Sequence, residues 1–119
     1  MNYVDGFVVP VPKKNISAYR RISQKAGKVW RDHGALQYVE ATGDDLAVRF
    51  GVPFTRIIKL KADETVVFSW IVFKSRAHRD KVNAKVMKDP RLASMMNDKA
   101  MPFDMKRMVY GGFKIIVDA

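Results

Sequence analysis

A chain of 119 residues, 48% of them apolar, suffices for one hydrophobic core and reads as a single domain over residues 1–119. With no cysteine it offers neither disulfides nor thiolate metal sites, and 22 Lys and Arg against 12 Asp and Glu give a net charge of +10, which favours polyanionic partners or simply a solvated basic exterior. The opening MNYVDGFVVPVPKK has no signal-peptide pattern, and no apolar run nears the roughly 20 residues that span a bilayer, so the expectation is a soluble, cytoplasmic protein without membrane contact.

Tyr3 to Val9 reads as a first strand, stopped by Pro10 and Pro12, with Asp5 out of place among apolar neighbours and Gly6 marking a bulge or close approach. A helix is predicted from about Lys14 to His33. At about 100° per residue, Tyr19, Ile22, Ala26, Val29, Trp30 and His33 fall on one stripe. Arg20, Arg21, Lys25, Lys28 and Arg31 lie on the opposite arc. Gly34 supplies a left-handed stop.

Leu36 to Ala41 reads as a second strand with Leu36, Tyr38 and Glu40 on one side. Residues 42–55 form a long loop, a lid or a mobile edge, before a short extra strand over Arg56 to Lys61. Thr65 to Phe73 is the central strand: Val67, Ile71 and Phe73 point one way, Val66, Phe68, Trp70 and Val72 the other. Ser75 then caps a helix from Arg76 to about Lys88. Its wet arc carries His78, Lys81, Lys85 and Lys88. Its inward arc holds Val82, Ala84, Val86 and Met87, but also Arg79, Asp80 and Asn83, which require hydrogen-bond partners.

Asp89-Pro90 ends that helix, and Leu92 to Met96 makes one more helical turn. Arg107 to Val117 is the last strand, split by a bulge or bend at Gly111-Gly112. The order β α β (β) β α β predicts an α+β, ferredoxin-like split βαβ sandwich, an antiparallel sheet with two helices on one face. Two helices cover one sheet face only, yet the strands are apolar on both. At roughly 25 cal/mol per Å² the uncovered face calls for a second copy, hence a homodimer.

The blocks YVDGFVVPVP, GKVW with HGALQYVE, DETVVFSWIVFKSRAHRD, DPRL, and MPFD followed by KRMVYGGF resemble the YbaA-like proteins, an uncharacterised bacterial family within the dimeric α+β barrel superfamily. The resemblance runs from Tyr3 to the C-terminus. It implies subunits dimerising into an α+β barrel, with a small molecule bound inside. The reaction classes it admits are cofactor-independent oxidoreductase, monooxygenase or isomerase chemistry. In cofactor-free relatives an aromatic cavity with one His or Asn binds a phenolic or quinol substrate, which on this chain points to His33 and Asn83.

Proton transfer needs ionisable groups whose pKa burial can move: His33 at the helix end, Asp80 on the inward helix face, and Asp5 and Glu40 in strands. His33, Asn83 and Asp80 are the catalytic candidates. Trp30, Tyr38, Trp70 and Tyr110 are the candidate walls of an aromatic pocket, with Arg79 as its ligand-binding charge. The bland reading pairs Asp80 or Asp5 with Arg79 or Arg107 as structural glue. Two histidines without an i, i+4 His pair predict no metal site, and no cofactor is expected; a haem on His33 is weaker than a satisfied core imidazole. The alternative from another class is weak, sequence-blind binding of nucleic acid (RNA) or another polyanion. Arg20, Arg21, Lys25, Lys28, Arg31, Lys81, Lys85 and Lys88 would track phosphates without an aromatic for base stacking.

Overall fold

Four strands pair in the order β2-β3-β1-β4, every neighbour antiparallel, in a computed structural model that describes residues 2–95 and 101–119. The strands are β1 (Tyr3–Pro12), β2 (Gln37–Thr42), β3 (Glu64–Phe73) and β4 (Val109–Lys114). The helices are α1 (Ile16–Asp32), α2 (Phe54–Ile57), α3 (Arg76–Lys88) and α4 (Pro90–Met95). This is the α+β, ferredoxin-like arrangement that the order of elements predicts. Met96, the last residue of the predicted extra turn, lies outside the described residues.

Alternation along β1 and β3 decides which face meets the helices. Val9, Val11, Val67, Ile71 and Phe73 are buried. They meet Tyr19 and Val29 of α1, Val82 and Val86 of α3, and Leu92 of α4 in two adjoining clusters. The other face carries Val4, Val8, Phe68, Trp70, Val109 and Phe113. Phe68, Val109 and Phe113 are 46%, 51% and 58% exposed. The chain after β2 covers one end of that face: Leu46 and Val66 both crowd the position a Cβ on Gly43 would take, and the Phe54 ring sits 6.1 Å from that of Phe68.

Three local expectations are corrected. Pro10 and Pro12 do not stop β1, which pairs with β3 as far as Pro12 opposite Glu64. The pairing with its other neighbour, β4, stops at Val8 opposite Val109, so the prolines fall where the strand has a partner on one side only, the edge position at which a missing N–H is tolerated. Residues 54–57 form a helical turn after Pro53, not the start of an extra strand, and Lys59 follows at φ 49°. Gly111-Gly112 makes no bulge, because the register with β1 runs unbroken from Val109 to Lys114. These glycines instead admit neighbouring rings. A Cβ on Gly112 would lie 2.8 Å from Cε2 of Tyr3, and one on Gly111 would touch Phe113. The stop at Gly34 is as expected, with φ at +113°.

Candidate functional site

A cavity of about 350 Å³ lies between the helix-side face of the sheet and the segments above it. Its floor follows from register. One row across the sheet reads Glu40, Ser69, Phe7, Tyr110, and the next reads Tyr38, Ile71, Asp5. Its roof follows from helical spacing: Tyr19, Ser23, Ala26 and Trp30 recur on one side of α1, joined by Asn83 and Met87 of α3. Met95, Met101, Phe103, Met105 and Met108 close the remaining side. The walls are thus apolar, aromatic and rich in flexible thioethers, and the polar groups concentrate on the floor.

The first polar cluster is centred on Glu40. One carboxylate oxygen accepts the Tyr19 hydroxyl, and the other accepts the Tyr38 hydroxyl at 2.8 Å. Burial, and then the Glu40 charge beside them, pushes both phenols above the usual tyrosine range, so they remain protonated donors. Tyr19, Ser23, Tyr38 and Glu40 also line an outer groove of about 650 Å³ between α1 and β2, with Arg20, Gln24 and Arg31 at its rim. The tyrosine–glutamate cluster therefore stands between groove and cavity.

The second cluster anchors α3 to β1. Asp5, only 2% exposed, accepts from Arg79 Nη1 at 2.7 Å. Arg79 Nε donates to Asp80 at 2.8 Å, and the guanidinium lies 4.9 Å from the centre of the Tyr3 ring. Trp30 Nε1 donates to Asn83 Oδ1 at 3.0 Å. Burial raises the Asp5 pKa above the ordinary aspartate value despite the Arg79 charge. This carboxyl therefore holds a proton at a higher pH than an exposed aspartate does.

The structure does not bring the three acid–base candidates together. Asn83 lines the cavity. His33 lies outside it as the C-cap of α1, with Nε2 2.8 Å from Asp89 Oδ2, and Arg91 bridges Asp89 to Asp32. Asp80 is 61% exposed and turned outward onto Arg79. Of the aromatic candidates, Trp30, Tyr38 and Tyr110 line the cavity, Tyr110 stacking on Phe7 at 5.4 Å. Trp70 belongs to the opposite sheet face, where its Nε1 donates to Gln37 at 3.2 Å. Arg79 reaches the cavity only through Asp5. Arg107 pairs with Glu64 at 2.6 Å and donates to the Ile58 and Lys59 carbonyls, a tie that holds the chain after α2.

Sequence reasoning missed Tyr19 and Ser69 as site residues and left Glu40 as one of two strand acids, with Asp5. The available signal was an acid sharing the inward face of a short strand with Tyr38. The eight basic candidates, Arg20, Arg21, Lys25, Lys28, Arg31, Lys81, Lys85 and Lys88, are all exposed. Lys28 pairs with Asp32 at 3.3 Å, and Arg31 donates to the Ala35 and Leu36 carbonyls. Among the described residues no group of three His, Cys, Asp or Glu side chains converges as a metal site, and no helix is long and apolar enough to cross a membrane.

Comparison with known proteins places this geometry. Residues 2–105 match a family described as "Protein of unknown function (DUF1428)". The uncharacterized protein YbaA of Escherichia coli K12 is 44% identical over 118 residues, covering 99% of both chains. A NIPSNAP-family protein of Agrobacterium tumefaciens superposes with a TM-score of 0.60 at 15% identity, over 96% of this chain and 87% of that one. A protein from an uncultured marine organism, described as dimeric and ferredoxin-like, gives 0.60 at 10% identity over the whole of both chains. At these identities the solved structures speak to the fold alone.

Proposed function

The chain belongs to the DUF1428 family, and from that premise, which supplies a fold but no activity, we propose that it is a homodimeric small-molecule-binding protein. The ligand occupies the cavity between sheet and helices. One observation carries this reading: an apolar space of about 350 Å³ holds buried polar groups on its floor, the usual form of a ligand site. Within it Asp5 has the raised pKa that suits a group giving or taking a proton, and Asn83 stands beside it as a neutral hydrogen-bonding partner. Cofactor-independent proton transfer, as in an isomerisation, is the reaction class these groups serve. The dimer is supported by the apolar sheet face that α1 and α3 leave open and that the chain after β2 covers at one end only, and by the dimeric description of one structural neighbour.

Intrinsic fluorescence tests the binding claim. Trp30 lines the cavity and Trp70 does not, so a Trp70→Phe variant leaves a single reporter at the site. In a screen of small aromatic and aliphatic compounds, binders are expected to shift Trp30 emission and raise Tm together. A broad screen in which no compound does either would overturn the reading.

A further inference from the structure

The cavity is acidic inside a basic protein. Lys and Arg outnumber Asp and Glu by 22 to 12, yet among the described residues the only charged side chains lining this space are Asp5 and Glu40. The two differ in kind. Asp5 is neutralised in place by Arg79. Glu40 meets no cation among the described residues; its oxygens receive the uncharged hydroxyls of Tyr19 and Tyr38. Each carboxylate oxygen has about two lone-pair directions, so each keeps one open.

Directly across the ladder from Glu40 stands Ser69, 7% exposed, whose hydroxyl makes no hydrogen bond among the described residues. Ser69 lines the cavity, and among the described residues no fully buried side-chain polar atom lacks a partner, which fits a hydroxyl open to that space. Opposed residues of an antiparallel pair keep their Cβ atoms about 5 Å apart, so one donor group can reach both. The rings of Tyr19, Tyr38 and Trp30 line the same cavity, and aromatic rings attract positive charge.

We propose that the cavity binds an organic ammonium ion: a primary or secondary amine on an apolar, aromatic-sized body. Its N–H groups donate to Glu40 and Ser69, and its body lies among Trp30, Phe103 and the methionines. Among the described residues Glu40 belongs to no group of three His, Cys, Asp or Glu side chains, so the donor set is that of an ammonium contact. The proposal rests on the reading of this cavity as a small-molecule site and adds the charge of its occupant.

Calorimetric titration with 2-phenylethylamine, 2-phenylethanol and phenylacetate, one body with three heads, tests it. The amine is expected to bind at least about tenfold more tightly than the alcohol, the margin of a charge-assisted hydrogen bond, with the carboxylate weakest. Glu40→Gln is expected to bring amine and alcohol within about twofold of each other. The three-ligand comparison on the unaltered protein decides the matter even if that variant does not fold. Alcohol equal to amine, or carboxylate tightest, overturns the ammonium assignment and leaves the cavity a small-molecule site. Failure of all three together with an empty broad screen removes both readings.

Discussion

Gly27 decides whether the Glu40 cluster can exist. It lies on the buried side of α1 over the Tyr38 ring, and a Cβ there would stand 2.7 Å from Cδ1 of that ring. Alanine favours a helix over glycine by up to about 1 kcal/mol, whereas overpacking a tight contact costs about 1–3 kcal/mol. Gly27→Ala is therefore expected to lower stability by about 1 kcal/mol, a fall in Tm of a few degrees. It should also tilt Tyr38 off Glu40, visible in near-ultraviolet circular dichroism. A higher Tm would show that the ring moves aside freely. Helical periodicity could not reveal this glycine, since a projection ranks side chains and Gly27 has none. The same limit explains His33. Placed on the apolar stripe by its spacing, it terminates the helix at φ −90°, ψ 1° and turns to Asp89. Asp5 and Arg79 were legible as misfits, charges on apolar faces, and the structure shows each answering the other.

α1, β2, β3 and α3 were read nearly to their ends, the last with Ser75 accepting from the His78 N–H at 3.0 Å. The ends of β1 and β4 and the whole of α2 were not. Four residues of α2 carry too little pattern to separate a turn of helix from a strand, and prolines are tolerated where a strand has an unpaired side, which the sequence does not reveal. The join between α1 and α4 shows how such small pieces are held. Asp89 accepts from Arg91 and from His33, and its carboxyl lies well below the usual aspartate range, chiefly through Arg91 and then His33. Asp32 and Glu64 are lowered as well, by Arg91 and Arg107 first. A carboxyl with a folded pKa below its unfolded value adds stability above that unfolded value and loses it as pH falls towards the folded one. Thermal stability is thus expected to decline from about pH 5 downward. Asp89→Asn should start lower at neutral pH and fall less steeply in acid. Parallel pH curves for the two proteins would refute this role for Asp89.

At the scale of the molecule, the two sheet faces have separate fates. One is roofed by helices and holds the cavity; the other presents Phe68, Val109 and Phe113 around Gly6 and Gly111, a shallow apolar trough. Phe54 continues that surface beyond the sheet, and Val48, Phe50 and Val52 of the same segment are exposed, Phe50 at 96%. Covering several hundred Å² of such surface at roughly 25 cal/mol per Å² yields many kcal/mol, enough to hold two copies together. Sedimentation at micromolar concentration is expected to give a dimer, and Phe113→Asp a monomer that keeps its fold by circular dichroism. A wild-type monomer at tens of micromolar, the range where a weak pair still forms, would refute the pairing of sheets. The contents of the roofed side have a different chemical consequence. Among the described residues, five methionines line the cavity. Each thioether that lets the wall adapt to its contents also accepts an oxygen atom from peroxide, becoming a polar, chiral sulfoxide. Oxidative damage to these residues would therefore rewrite the surface on which selectivity for a guest depends, and a sulfoxide reductase would restore it.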